Sequence, residues 1–127
     1  MFIQIEPQSD TPIYAQVTNG IMEGIVRNEL RPGDILPSVR SLAGDLGVNM
    51  HTVNKSYHEL ESKGVIRIVP KSGAVICSPT DGTIPTQRLN QISEGLRPIV
   101  VESLVAGMSE KEIAELVASI ISNVKGD

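Results

Sequence analysis

The sequence predicts an α+β, mainly helical chain: three helices closed by a β-hairpin, then a short linker and a tail of two further helices. Three observations carry this. Apolar residues recur at three- and four-residue spacing in five stretches, the signature of amphipathic helices. Two β-branched runs, Val65-Ile66-Arg67-Ile68-Val69 and Ala74-Val75-Ile76-Cys77, flank the turn cluster Pro70-Lys71-Ser72-Gly73 and read as a hairpin. Good caps and stops punctuate the helices: Ser38 and Gly47, Asn49 and Gly64, Ser109 and Gly107.

Taken in order, Phe2 to Ile5 alternates and reads as a short strand. Thr11 is a cap with Pro12 at the first helical position, and Ile13, Tyr14, Val17, Ile21 and Ile25 give a helix over residues 12–28 that packs beneath the next two. Arg31-Pro32-Gly33-Asp34 is a turn. From Ser38, Leu42, Ala43 and Leu46 form one apolar face, and Gly47 takes the left-handed conformation that ends the helix. From Asn49, Val53, Tyr57 and Leu60 line one side, while His51, Thr52, Lys55 and His58 line the other. Two short helices with a glycine in the turn, the second polar on its outer face, is the plan of a DNA-reading helix-turn-helix. The hairpin over 65–77 makes it winged. These elements define a winged helix-turn-helix domain over 1–78, a hinge over 79–85 and a helical tail over 86–127.

In the tail, Leu89, Ile92, Leu96, Ile99, Val100 and Leu104 follow one stripe. Pro98 inside it predicts a kink, because Glu94's carbonyl loses its partner. Gly107 ends this helix. Ser109-Glu110-Lys111-Glu112 is a capping box, and Ile113, Leu116, Val117, Ile120, Ile121 and Val124 form a second stripe.

At 127 residues the chain is one domain or a small domain with an appendage, and 40% hydrophobic residues suffice for a core. With one Phe, two Tyr and no Trp, that core is built from Leu, Ile and Val; Tyr14 and Tyr57 read as core residues. The single cysteine, Cys77, excludes a disulfide framework and a multi-cysteine zinc site. No apolar run approaches the ~20 residues of a membrane helix, and no basic-then-apolar leader opens the chain, so the expected location is cytoplasmic. The net charge of −4 is unevenly spread. Residues 31–73 hold six cations and four acids, whereas residues 78–127 hold four cations and seven acids. The expected reading head is therefore locally basic, with few cations to neutralise phosphate and weak non-specific affinity to match.

Thr11-Pro12-Ile13-Tyr14, the run Leu30-Arg31-Pro32-Gly33-Asp34-Ile35-Leu36-Pro37-Ser38-Val39-Arg40, and Leu46-Gly47-Val48-Asn49 with Thr52-Val53 and Lys55-Ser56-Tyr57 resemble the DNA-binding domain of the GntR family of bacterial transcription regulators. The resemblance covers about residues 10–78. It implies that Arg40, early on the first helix of the motif, contacts DNA, together with Ser38 beside it. Asn49, His51, Thr52 and Lys55 lie at the start of the recognition helix, where side chains reach base edges and the helix N-terminus favours phosphate. Asn49 reads equally as an ordinary N-cap. Lys71, Ser72 and Gly73 match a wing tip that approaches the minor groove or its phosphates. The chain departs from the family pattern at Met50 and Asn54, where many members carry Arg, and at Val69-Pro70, where many carry a basic pair; base-by-base assignments are not carried across.

Only about 45 residues follow the wing, which resembles the short-tailed YtrA-like branch. Tails in that branch pair as dimerisation elements, and its members often regulate genes for membrane transporters. The resemblance implies a repressor that binds a palindromic double-stranded DNA operator as a homodimer through residues 86–125. No phosphate loop, nucleophile triad, cofactor lysine or metal-binding His set is legible, so neither enzyme activity nor a cofactor or metal is expected, and no effector can be named. The rival reading is a winged helix used only for protein–protein contact.

Overall fold

A computed structural model describes residues 3–78 and 84–126. The chain divides into two compact units, between residues 79 and 80, and each is taken by itself.

The first unit contains α1 (Ile13–Val26), β1 (Ile35–Leu36), α2 (Val39–Leu46), α3 (Met50–Ser62), β2 (Ile66–Val69) and β3 (Gly73–Ile76). α3 is the centre: it packs against α1, α2 and β2. Its apolar face supplies Val53, Tyr57 and Leu60, which meet Val17 and Ile21 of α1, Leu42 and Ala43 of α2, and Ile66, Ala74 and Ile76 of the sheet in one core. Two polar groups share that core. Thr18 Oγ1 donates to the Tyr14 carbonyl at 2.9 Å, and the Thr18 and Ser56 hydroxyls lie 2.8 Å apart, so α1 and α3 are hydrogen-bonded as well as packed. The Tyr57 hydroxyl donates to the Pro37 carbonyl at 2.6 Å, tying α3 to the segment that enters α2. Burial pushes the Tyr57 phenol up to about 12.

The antiparallel sheet has the order β1-β3-β2, with Ile35 opposite Val75 and Arg67 opposite that same Val75 on the other side. β1 was not legible in the sequence. It is two residues long, and its partner lies forty residues away. The turn before it aligns it: Asp34 Oδ2 accepts from Arg31 N–H at 2.8 Å, and the Ile76 amide donates to the Asp34 carbonyl at 2.9 Å.

Several expectations need correction. Ile3 to Glu6 is not a strand; the Ile3 side chain instead lies on Gly20 of α1, where an added Cβ would sit 3.1 Å from it. Phe2 lies outside the described residues. Thr11 does not cap α1. Pro12 takes the cap position with no side-chain bond, and the Gln16 carboxamide holds the preceding chain by donating to the Thr11 and Glu6 carbonyls and accepting from Glu6 N–H. α1 closes at Val26, before Asn28 enters the left-handed region at φ 63. The first hairpin strand starts one residue later than the predicted 65–69, and the second shifts one residue earlier than the predicted 74–77.

The second unit contains α4 (Thr86–Val105) and α5 (Glu110–Lys125). α4 runs as one helix through Pro98, and Ser103 Oγ donates to the Ile99 carbonyl at 2.8 Å in the following turn. The capping box forms as the sequence predicts: Glu112 N–H donates to Ser109 Oγ, and Ser109 N–H donates to the Glu112 carboxylate. Those bonds hold the Glu112 carboxyl below its ordinary value. No residue of either helix is buried. The hinge read over 79–85 falls largely on residues outside those described.

Candidate nucleic-acid interface

The helix-turn-helix is built from two local caps. Ser38 Oγ accepts from Ser41 N–H at 3.1 Å and starts α2; Gly47, in the left-handed region at φ 71, ends it. Asn49 Oδ1 then accepts from His51 N–H at 2.7 Å and starts α3. Ser38 and Asn49 are thus engaged as caps, which is the sturdier half of the dual role their positions predict. The Asn49 carbonyl closes the same turn, accepting from Thr52 N–H at 3.0 Å and Val53 N–H at 3.3 Å.

Around those caps, Arg40 on α2 and His51 on α3 are exposed, while Thr52 is half-buried. Lys55 is exposed, yet its ammonium lies over the Tyr14 ring of α1, 3.9 Å from the centroid. A cation–π contact at an exposed site is worth about 0.5–1 kcal/mol, so a phosphate can replace the ring without large cost. Sequence reasoning placed Tyr14 in the core; the structure leaves it half-buried beneath Lys55. Only the packing of α1 on α3, not any local pattern, brings the pair together.

The wing turn runs Val69-Pro70-Lys71-Ser72, closed by Ser72 N–H donating to the Val69 carbonyl at 3.0 Å. It repeats the plan of Arg31-Pro32-Gly33-Asp34, with proline first and a positive-φ residue second. The earlier turn uses Gly33 there; the wing uses Lys71, held at φ 68. A lysine in the left-handed region costs of order 1 kcal/mol, and such cost clusters where a side chain is needed at a loop tip. Lys71 and Ser72 are exposed, but Gly73 is not a tip residue. It is buried at φ 126, and a Cβ there would meet the Leu36 carbonyl oxygen at 2.1 Å. Its service within the chain is to let β3 approach the end of β1.

One residue in this region carried no sequence assignment. Glu61, in the last turn of α3, accepts a hydrogen bond from the Ile68 N–H of β2 at 2.8 Å. Among the described residues no cluster of three or more His, Cys, Asp or Glu could hold a metal, and no helix is long and apolar enough to cross a membrane.

Comparison with known proteins agrees with this arrangement. The model of the family described as bacterial regulatory proteins, gntR family, matches residues 13–76. The transcriptional repressor YtrA of Bacillus subtilis is 36% identical over 124 residues, spanning 98% of this chain and 95% of that one. A crystal structure of a transcriptional antiterminator from Listeria monocytogenes superposes with a TM-score of 0.90 at 30% identity, covering 100% of this chain and 95% of the other. The DNA-binding domain of AraR, crystallised with its operator ORX1, superposes with a TM-score of 0.52 at 28% identity, covering 60% of this chain and all of that domain.

Proposed function

The chain belongs to the gntR family of bacterial regulatory proteins, and from that premise we propose that it is a cytoplasmic repressor that binds a two-fold symmetric operator as a homodimer. One observation supports DNA reading above all: the helix-turn-helix has an exposed, capped start of α3 and an exposed Arg40 on α2, and a strained cation, Lys71, tips the wing. α3 lies in the major groove, with His51 and Thr52 at base edges, Arg40 and Lys55 on phosphate or base, and Ser38 and Asn49 presenting the helix ends to the backbone. Lys71 and Ser72 reach the adjacent backbone. The repressor YtrA and the operator complex of AraR are the relatives that make this the reading of choice.

The homodimer rests on the tail. Leu96, Ile99 and Ile120 are 51%, 58% and 54% exposed within one chain, and Val101 and Val105 widen the apolar surface of α4 beyond its main stripe. Two helices cannot bury such faces against each other alone, and isolated helical pairs of this size are marginal. A contiguous apolar surface of this kind marks an interface, and two-fold pairing of identical chains is the commonest solution. Each chain then offers one recognition helix to one half-site. The resemblance to the short-tailed branch points to genes for membrane transporters as targets.

Selection of bound DNA from random sequence, followed by gel shift at fixed salt, tests the reading. Arg40→Ala removes a charge-assisted contact worth roughly 1.5–3 kcal/mol and should weaken operator binding by at least tenfold while leaving the fold intact. An unchanged dissociation constant, or no selected sequence, would sink it.

A further inference from the structure

We propose that Glu61 is a positioning residue that latches the wing to the recognition helix and thereby sets the grip of the wing tip on DNA. This rests on the operator reading above. β2 is an edge strand, and Cys77 N–H donating to the Val65 carbonyl sets the alternation along it. Arg67 and Val69 turn their backbone groups toward β3, so the Ile68 N–H faces the open side. Glu61 Oε2 takes that amide at 2.8 Å.

The position is an expensive one for an acid. α3 ends at Ser62 with no basic residue in its last turn, and a carboxylate there opposes the negative end of the helix dipole. Lys63, the next cation, lies 3.9 Å from Glu59 rather than serving Glu61. A negative charge also works against a locally basic reading head. Helix stability and phosphate attraction therefore both disfavour Glu61, and the bond to Ile68 is what it provides. The packing says why that bond matters. The hairpin is anchored by buried Ile66, Ala74 and Ile76 at its base; Ile68 and Val69 are only half-buried, and Pro70, Lys71 and Ser72 are exposed. Glu61 holds the strand three residues before Lys71, beyond the last fully buried side chain of β2.

The test uses the full chain and its selected operator, with affinities at fixed salt and amide exchange of the free protein. Glu61→Ala should weaken binding about three- to tenfold, the range expected for the loss of one ordinary, exposed hydrogen bond. Glu61→Gln, whose carboxamide oxygen can accept the same bond, should stay within about twofold of the parent. In a Lys71→Ala background the Glu61→Ala loss should shrink below about twofold, and in an Arg40→Ala background it should persist in full, because only the first pair shares a contact. Without DNA, the Ile68 amide should exchange faster in Glu61→Ala and not in Glu61→Gln. Tighter or unchanged binding by Glu61→Ala overturns the latch, as do equal losses in both backgrounds. If Lys71→Ala alone bound normally, the wing contact of the operator reading would fall; Ile68 exchange would then decide the latch by itself, faster exchange supporting it and unchanged exchange overturning it.

Discussion

Leu60 of α3 and Leu96 of α4 occupy the same kind of place, each one turn from other apolar residues on a helix face. Leu60 is fully buried, whereas Leu96 is half exposed. The difference lies in what surrounds the helix. α3 is enclosed by α1, α2 and β2, and the unit gains roughly 1.5–3 kcal/mol for each large side chain it fully buries. α4 has only α5 in its unit. Periodicity along a helix therefore specifies which face wants cover, while the number of neighbouring elements decides whether one chain can supply it. In the winged unit the core is complete; in the tail the second copy completes it, on the reading proposed above.

That contrast can be broken most severely at Gly73. An alanine there would drive its Cβ into the Leu36 carbonyl at a φ that side chains rarely adopt. We expect a loss of about 4 kcal/mol or more in the stability of the winged unit, since strain against backbone has no flexible end to yield. Thermal unfolding followed by tyrosine fluorescence reads this unit alone, because Tyr14 and Tyr57 both lie within it. A loss below 1 kcal/mol would show that β3 can move away from β1 and that the core is less complete than described.

The next effect is set by pH. The Tyr57 phenol is pushed up to about 12 from an ordinary 10 by burial. A folded value above the unfolded one means that its contribution is fully present below pH 10 and is lost as pH rises through 12. The span corresponds to about 3 kcal/mol. Chemical denaturation from pH 8 to 12 should show this fall. Tyr57→Phe should be about 1 kcal/mol less stable at pH 8, where the Pro37 carbonyl loses its donor, and flatter above pH 10. An equally steep variant would place the pH dependence elsewhere.

How much was legible follows the same division between local and distant causes. Both caps of the helix-turn-helix, the left-handed Gly47 and the capping box at Ser109 depend on residues within four positions of each other, and the sequence displays them all. What failed depends on partners beyond that range. β1 exists because β3 pairs with it. Ile3 and Ile5 alternate like a strand, but packing against the core demands the same alternation. Thr11 looked like a cap until Gln16, five residues on, took over the local hydrogen bonds. Lys55 was read as exposed, and is; that Tyr14 lies beneath it follows only from the docking of α1 on α3. Gly73 was read as part of a wing tip because turn residues cluster there, whereas its burial is set by Leu36.

The smallest effect falls in the tail. Gly95 sits inside α4 with nothing within 4 Å of an added Cβ in its own chain. Gly95→Ala should therefore raise stability by about 0.5–1 kcal/mol, the helix-propensity difference, in contrast to the same change at Gly73. Helicity at 222 nm through a thermal ramp would show it. A destabilised variant would instead place a close neighbour over Gly95, and so mark that face of α4 as packed against the second chain.

The central claim, that the tail rather than the winged unit joins two chains, is tested most directly by sedimentation velocity of the full chain at micromolar concentration, beside a chain ending at Ser78. The account predicts a dimer for the full chain and a monomer for the shortened one. A monomeric full chain, or a shortened chain that still dimerises, would contradict it.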